Sequence, residues 1–359
     1  MGCAFSKIEI GSAPNALFRS FYVNLEDVAR QAGVSKSTVS RVINDDPHVS
    51  ARARERVMSV IQQENHEPTH PGRTLVARRS QILGVCISQT ANVFFGDNSY
   101  FPMLLQGIAE GSNQHDYAMM LWLAESHEHR ETFTRRVLRN RQSDGLIITS
   151  VTETDPLFES LLRHNRLFVM VESPPRHADR VSYVTVDNVA SAQLAVNHLI
   201  QIGRRRIATV TGQFDIRDAQ ERLVGYRLAL EGAGLPLDER LIYYGTFTFE
   251  AGYEGTKHLL QYQPDAIFCG GDTAAIGAMR ALREAGMRIP DDVAVVGFDD
   301  LDVARHANTP LTTIRHSVQH IGSTAAKLLI DLIEKRLEHP QHIVVPTDLI
   351  VRASTIGNE

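Results

Sequence analysis

The residues best suited to chemistry form a short polar and basic run between positions 36 and 41. They are Lys36, Ser37, Ser40 and Arg41, and apolar valines alternate with them at helical spacing. Lysine and arginine can donate to the acceptors that guanine shows in the major groove, while serine is short enough to allow close approach. The run therefore predicts a helix that reads DNA. A solvated face of an ordinary helical bundle is the alternative for the same pattern.

Three predicted helices position this polar face. The first spans Leu25–Ala32 and ends at Gly33. The second runs from Lys36 to about Ile43 after a Ser35 cap, and the third begins after Ser50. Two short helices that are joined at a glycine and braced by a third are typical of a helix-turn-helix unit.

From Gln81 onwards the pattern changes to strands that alternate with helices. The predicted strands are Ile82–Ile87, Ala118–Leu123, Gly145–Thr149, Leu167–Val171, Tyr183–Val186, Ile207–Thr211, Ala266–Cys269 and Val293–Phe298, and the predicted helices include Met103–Asn113, Ala190–Ile202, Ala219–Glu231 and Thr273–Ala285. This order is typical of parallel α/β sheets, and the strands outnumber those of one usual sheet. We therefore predict two Rossmann-like lobes with a ligand cleft at the carboxyl ends of the strands.

Four segments follow from these patterns. We expect a disordered leader at 1–22, a helix-turn-helix DNA-binding domain at 23–67, a linker (the hinge) at 68–80 and an α/β ligand-binding body at 81–355. Charge is divided between them, because residues 24–80 carry a net +2 whereas the rest of the chain from residue 81 carries −8. A weakly positive head on an acidic body favours docking on DNA through the head.

The common enzyme classes are not indicated. The sequence contains no P-loop, GxGxxG or GxSxG motif, so we expect no catalysis, no cofactor and no metal site. His127 and His129 lack a partner motif and are interpreted as part of a solvated face. An enzyme and a secreted sugar-binding protein remain the alternative classes, and the predicted DNA-binding head argues against both.

The sequence also bears on the compartment. Cys86 and Cys269 lie in apolar strands, as is typical of buried thiols in a reducing compartment. Neither a membrane-spanning run nor a signal-peptide pattern is present, so we expect a cytoplasmic protein with no membrane partner. The first six residues fit a loose myristoylation pattern, which we interpret as part of an unstructured leader.

The segment Val23–Asn44 closely resembles the head of the LacI/GalR (lactose-repressor) family of bacterial transcription regulators. The body matches the same family in order, at Gln106–Ile108, Val186–Asn188, His198–Gly203, Glu221–Tyr226, Ala275–Gly277, Ile289–Asp300 and Pro310–Ile314. Each match alone is weak, but their order and spacing from about residue 23 to 355 are specific.

The resemblance implies a homodimer that binds a palindromic DNA operator, and a periplasmic-binding-protein-like body that holds a small-molecule effector. In the hinge, Leu75 matches the leucine that family members insert into the minor groove, and Arg73 would help hold phosphates. Thr69 and Gly72 replace the usual asparagine and alanine there. Glycine costs about 1 kcal/mol of helix propensity relative to alanine, so this hinge is expected to fold less readily.

The resemblance also implies an effector pocket between the lobes. The expected contacts are Tyr100, Phe101, Asp187, Arg222, Phe247, Asp272 and Asp299. Arg222 would donate paired hydrogen bonds to hydroxyls or a carboxylate, and Phe247 would cover a ring. The alternatives are a surface position for Arg222, core packing for the aromatic residues, and helix or turn capping for the aspartates, Asp272 above all.

We expect the effector to be a sugar or sugar derivative, with a purine-like molecule as the alternative. Gly271 stands where relatives have asparagine, which predicts extra space for a disaccharide or a sugar acid. The helices Met103–Asn113 and Thr273–Ala285 are apolar on more than one face, which we interpret as burial between the subunits of a dimer. The short tail after Arg352 predicts that assembly stops at the dimer.

Overall fold

The computed structural model describes residues 25–43, 46, 48–63, 79–90, 99–124 and 130–356. The chain divides between Ser80 and Gln81 into two compact units. The predicted leader, the hinge positions Arg73 and Leu75, and the pair His127 and His129 lie outside the described residues, so those predictions stay predictions.

The first unit contains the three predicted helices, α1 (Leu25–Ala32), α2 (Lys36–Ile43) and α3 (Ala51–Gln63). Valines from all three helices, Val28, Val39, Val42 and Val57, are buried together in a small core. The Ser35 hydroxyl accepts from the amide of Thr38 at 3.1 Å and so caps α2. The turn before it depends on Gly33, whose φ of +61° few other residues tolerate. The three-helix prediction is confirmed.

The second unit alternates strands and helices along its length. Its strands are β1 (Ile82–Thr90), β2 (Ala118–Ala124), β3 (Gly145–Thr149), β4 (Phe168–Val171), β5 (Ser182–Val186), β6 (Ile207–Val210), β7 (Ile242–Tyr243), β8 (Ala266–Cys269), β9 (Ala294–Asp299), β10 (Thr312–Arg315), β11 (His342–Val345) and β12 (Asp348–Ile350). Its α-helices are α4 (Tyr100–Asn113), α5 (Arg130–Arg139), α6 (Pro156–Arg163), α7 (Asn188–Gln201), α8 (Arg217–Gly232), α9 (Phe249–Leu259), α10 (Asp272–Glu284), α11 (Asp302–His306), α12 (Val318–Ile333) and α13 (Ala353–Ile356). Among the described residues, 3-10 turns lie at Ala178–Arg180, Glu239–Leu241 and Leu260–Tyr262.

These strands form two six-stranded sheets, one in each lobe. The N-terminal lobe has the order β11-β5-β4-β3-β1-β2, and the C-terminal lobe has the order β12-β10-β9-β8-β6-β7. All paired strands are parallel except β10 and β12. The predicted α/β body of two lobes is therefore confirmed.

The chain passes between the lobes three times. The crossovers are Asp187, between β5 and α7, then His316 and Ser317, between β10 and α12, and finally Pro346 and Thr347, between β11 and β12. The first and third crossovers are tied together, because the hydroxyls of Ser191 and Thr347 lie 2.8 Å apart. Each sheet therefore receives its last strand, β11 or β12, only after the chain has passed through the other lobe.

All eight predicted strands are present, with ends that shift by three residues at most. Four strands were not predicted: β7, β10, β11 and β12. β7 has two residues, and β11 and β12 are short, partly exposed edge strands, so none carries the apolar run that marked the others. Cys86 and Cys269 are free, buried thiols, and burial raises the pKa of each.

The interpretation of the helices Met103–Asn113 and Thr273–Ala285 as subunit contacts stays a prediction, because packing within the chain also accounts for their second apolar face. The second apolar face of α4 packs against α12 of the same chain, and that of α10 packs against α9. The contacts are close because glycines meet the facing backbone: a Cβ at Gly107 would overlap the Gln319 carbonyl, and one at Gly277 would overlap the Phe249 carbonyl. The extra apolar faces therefore serve packing within one chain.

No helix in the described part of the chain is both long and apolar enough to cross a membrane.

The close contact of α4 and α12 makes Gly107 intolerant of any side chain. We expect Gly107→Ala to lower the free energy of unfolding by about 1–3 kcal/mol, because the new methyl group meets backbone, which cannot rotate away. Gly232→Ala is the matched control, since nothing lies within 4 Å of its Cβ position and alanine favours a helix. Thermal unfolding of both variants checks this, and equal melting temperatures would contradict it.

Candidate functional site

The predicted DNA-reading face is exposed on α2. Lys36, Ser37 and Arg41 are exposed and Ser40 is half-buried, whereas Val39 and Val42 face the core. The Lys36 ammonium lies 2.7 Å from Glu26, and the Arg41 guanidinium lies 4.0 Å from Asp46. Exposed ion pairs of this kind contribute about 0–1 kcal/mol, so both cations can exchange their carboxylates for DNA.

A cavity lies between the two lobes, at the carboxyl ends of their strands. It encloses about 740 Å³, including its open side. The N-terminal lobe contributes Tyr100, Phe101, Thr149, Ser150 and Glu172, and the C-terminal lobe contributes Gln213, Ile216, Asp218, Arg222, Thr246, Phe247, Thr248 and Asp299. Five of the seven predicted effector contacts are therefore brought together: Tyr100, Phe101, Arg222, Phe247 and Asp299.

Arg222 is the most constrained side chain of the cavity. Its guanidinium lies 3.6 Å from the centre of the Phe298 ring, and the residue is 7% exposed, so the surface alternative is wrong. Its Nε donates to Asn188 Oδ1 at 2.9 Å, and its Nη1 donates to the Gly270 carbonyl. Two of its N–H groups are thus already bound to protein, which differs from the expected paired donation to a ligand.

Two carboxylates flank the remaining nitrogen of this guanidinium. Arg222 Nη2 lies 3.8 Å from Asp218 Oδ2 and 3.9 Å from Asp299 Oδ1. Asp299 Oδ1 also lies 3.1 Å from His316 Nε2, so it is bonded to the second crossover. Asp218 Oδ1 is buried and has no hydrogen-bond partner among the described residues. It is an acceptor in the cavity wall that still lacks a donor.

The N-terminal lobe contributes one buried carboxyl group, Glu172. The Val151 amide donates to its Oε1 at 2.7 Å. Burial raises the Glu172 pKa, and the charge of Asp218 raises it further, although the amides of Val151 and Ser150 oppose both effects. Burial also raises the pKa of the Tyr100 phenol, and the nearby carboxyl groups of Asp218 and Asp299 raise it further. The phenol therefore keeps its proton.

Three residues of the cavity wall have a strained backbone. Ser150 and Glu172 follow β3 and β4 with φ of 58° and 105°, and Asp299 ends β9 with φ of 109°. Residues other than glycine rarely adopt such angles, at a cost of about 1–3 kcal/mol each. The strain places three polar side chains at the ends of strands from both lobes, as a binding site requires.

Phe247 packs against glycine backbone on the C-terminal side of the cavity. A Cβ at Gly212 would overlap its ring, so this position must be a glycine. A Cβ at Gly271 would lie 3.4 Å from that ring and 3.6 Å from Asp299 Oδ2, which are ordinary contacts with two residues of the wall. The expectation that Gly271 opens room for a larger ligand stays a prediction.

Two predicted contacts, Asp187 and Asp272, do not line the cavity. Asp187 is exposed and accepts from the Ala190 amide at 2.9 Å, so it caps α7. Asp272 is fully buried and accepts from the Thr313 hydroxyl at 2.6 Å and the Leu301 amide at 2.8 Å. It does not cap α10 either. Both carboxylates are held by protein donors, which removes the basis for a ligand contact.

The residues that the sequence reasoning missed include the wall carboxyl groups Glu172 and Asp218, and also Asn188 and His316, which bond to wall residues. Asp218 stands one helical turn before Arg222, and that i,i+4 spacing was a usable signal. Asn188 lies in a motif that the resemblance included. Glu172 and His316 carry no local signal, because only the pairing of the lobes brings them to the cavity.

The lobes also touch at the edge of the cleft. Thr152 and Ile216 form an isolated antiparallel bridge, and the Glu153 amide donates to the Asp215 carbonyl at 3.0 Å. The Gln220 amide group donates to Glu153 Oε1 at 2.9 Å. These bonds link the loop after β3 to the start of α8, so they hold the cleft closed in this conformation.

Known proteins match this architecture over nearly its whole length. The profile of bacterial regulatory proteins of the lacI family matches residues 24–69, and that of a periplasmic binding protein-like domain matches residues 196–355. The HTH-type transcriptional regulator CelR of Thermobifida fusca is 36% identical over 335 residues, which are 92% of this chain and 97% of CelR. The chain belongs to the LacI family. This LacI-family protein is a DNA-binding regulator of transcription and not an enzyme.

Other relatives support the same assignment. The ribose operon repressor of Escherichia coli K12 is 32% identical over 333 residues, 92% of this regulator and 99% of the repressor. The structure of CelR in complex with cellobiose has a TM-score of 0.74 at 33% identity and covers 93% of this chain and 100% of that one. The lac repressor dimer bound to operator and the anti-inducer ONPF has a TM-score of 0.79 at 27% identity, covering 93% and 99%. The family resemblance seen in the sequence is confirmed.

The carboxyl group of Asp218 makes the stability of this regulator depend on pH. Burial raises its pKa to about 6, with Glu221 and Asp299 adding to the shift and Arg222 and His316 opposing it. Because the folded state holds this proton more tightly than the unfolded chain, stability falls as pH rises from about 4 through 6. Asp218→Asn is therefore expected to stabilise the protein at pH 7.5, by about 1–3 kcal/mol.

That gain should shrink at pH 4.5, where Asp218 is protonated in the folded protein. Denaturant unfolding at both pH values measures it. Asp187→Asn is the matched control, since this exposed carboxylate only caps a helix and asparagine caps equally well. A gain from Asp218→Asn that is the same at both pH values would contradict the assignment.

Proposed function

We propose that this regulator is a cytoplasmic homodimeric repressor whose operator binding is controlled by a sugar or sugar derivative. The observation that carries the proposal is the cavity between the lobes. Its wall combines aromatic rings (Tyr100, Phe101, Phe247) with hydroxyl and carboxylate groups, and such pairing suits a ligand with apolar ring faces and many hydroxyls. The relatives agree, since a CelR structure holds cellobiose and a lac repressor dimer was solved with operator and anti-inducer.

We propose the domain limits that the sequence indicated, with the head at 23–67, the hinge at 68–80 and the body at 81–355. In this proposal α2 enters the major groove, Leu75 of the hinge inserts into the minor groove, and Arg73 helps to hold phosphates. A two-fold dimer presents two copies of α2, so the operator should be an approximate inverted repeat.

The role of α2 can be tested on DNA. We expect Arg41→Ala and Lys36→Ala to weaken binding to the operator by about tenfold or more, and to weaken binding to unrelated DNA much less, because base contacts add to phosphate contacts only at the operator. Arg52→Ala on α3 is the control for lost positive charge. Fluorescence anisotropy at fixed salt measures all affinities. An equal loss of affinity for the operator and for unrelated DNA would mean that Lys36 and Arg41 contact only phosphates.

The role of the cavity can be tested with an effector found by a thermal-shift screen of sugars, with purines included as the alternative class. We expect Arg222→Ala to weaken effector binding by about ten- to hundredfold, because Asn188, Asp218 and Asp299 lose their shared cation. Operator affinity without effector should stay within about threefold of the unaltered protein.

Arg217→Ala is the matched control, since this exposed arginine lies on the same helix and pairs only with Glu221. Phe247→Ala provides a second test that leaves the buried ion pairs intact. Calorimetry measures the affinity for the effector. If neither Arg222→Ala nor Phe247→Ala changes this affinity, the effector binds outside the cavity.

A further inference from the structure

The one cationic side chain in the described cavity wall is already neutralised. The charges that line it are those of Arg222 and three carboxyl groups, from Glu172, Asp218 and Asp299. Arg222 holds two of these within 4 Å of its Nη2, at 3.8 and 3.9 Å. Its other bonds go to Asn188 and the Gly270 carbonyl. An arginine so placed has little positive potential left to offer an anion.

The carboxyl groups approach the ligand space from both lobes. Glu172 belongs to the N-terminal lobe, whereas Asp218 and Asp299 belong to the C-terminal lobe, so a ligand in the closed cleft lies between them. His316 Nε2 is bonded to Asp299 and supplies a hydrogen bond at the wall, where the residue is buried. An added negative charge would therefore meet the like charges of Asp218 and Asp299, in a site where water screens them poorly.

The hydrogen-bonding groups of the cavity wall also disfavour an anionic ligand. Asp218 Oδ1 is buried with no partner among the described residues, and an ionised carboxylate can only accept. A bound hydroxyl or ammonium group donates and satisfies such an atom, whereas a carboxylate or phosphate oxygen brings another acceptor. Leaving a buried acceptor unpaired costs about 1–3 kcal/mol, so the cavity favours ligands that are rich in donors.

We propose that this cavity selects its effector by charge: it binds neutral or amino-substituted polyols and rejects sugar acids and sugar phosphates. The inference rests on the proposed function and narrows the class of effector that it names. It replaces the sequence-based expectation that a sugar acid would fit as well as a disaccharide.

Matched sugars test the proposal on the full-length protein at pH 7.5. One series is cellobiose, its diamino counterpart chitobiose and its acid cellobionate; the other is glucose, glucosamine and glucose 6-phosphate. Isothermal titration calorimetry measures each affinity. We expect at least one neutral or amino sugar to bind, and the anionic member of the same series to bind at least tenfold more weakly.

Variants of the wall carboxylates then test which of them cause the discrimination against anionic sugars. Asp218→Asn and Asp299→Asn should each narrow the gap between the anionic sugar and its neutral parent by about tenfold, because each removes one negative charge from the wall. Asp187→Asn is the control, since it removes a carboxylate that does not line the cavity. Either of the two wall variants suffices if the other fails to fold.

The outcomes separate the two proposals. An anionic sugar that binds as tightly as its neutral parent, or a gap that both wall variants leave unchanged, overturns selection by charge while a sugar effector stands. Binding of no sugar in either series, with operator binding intact, overturns the sugar class and this inference together.

Discussion

The buried guanidinium of Arg222 is the constraint around which the effector-binding unit is arranged. It stacks on Phe298 at the end of β9 and donates to Asn188 on α7 and to the carbonyl that follows β8, so one side chain on α8 ties together four elements of the C-terminal lobe. A buried cation is stable only when its donors and its charge are matched. Asp218 and Asp299 supply that match, and they thereby give the cavity its negative wall. The electrostatic character of the site follows from what is needed to bury this arginine.

Packing sets the rest of the cavity. Phe247 can lie against the backbone because residues 212 and 271 are glycines, and its ring lies 5.5 Å from the Arg222 guanidinium. The strained positions Ser150, Glu172 and Asp299 persist because the strands before them are fully buried, which fixes the backbone up to the bend. These three polar residues thus lie at the ends of rigid strands, where the two lobes face each other.

Much of this organisation could be predicted from the sequence, and the reasons for success and failure are physical. The helices of the head have local signals, namely their apolar period, the Ser35 cap and Gly33. Buried strands have long apolar runs, whereas edge strands such as β11 and β12 lack them. Arg222, Phe247 and Asp299 could be placed by the family resemblance. Glu172 could not, because its donor Val151 follows a different strand of the same lobe, far away in the sequence. Asp187 and Asp272 were misassigned because nearby backbone and hydroxyl donors bind their carboxylates instead.

The same contacts connect the cavity to the crossovers between the lobes. His316 lies in the second crossover and is bonded to Asp299, an aspartate of the cavity wall. Asn188 follows the first crossover directly and accepts from Arg222, while Ser191 on the same helix bonds Thr347 of the third crossover. Closure of the lobes is held on the opposite side by Thr152 and Ile216. The carboxylates that a ligand would contact are therefore linked to the crossover segments through one or two hydrogen bonds or ion pairs. Because the lobes must move about these segments, ligand binding in the cavity and the angle between the lobes depend on the same few side chains.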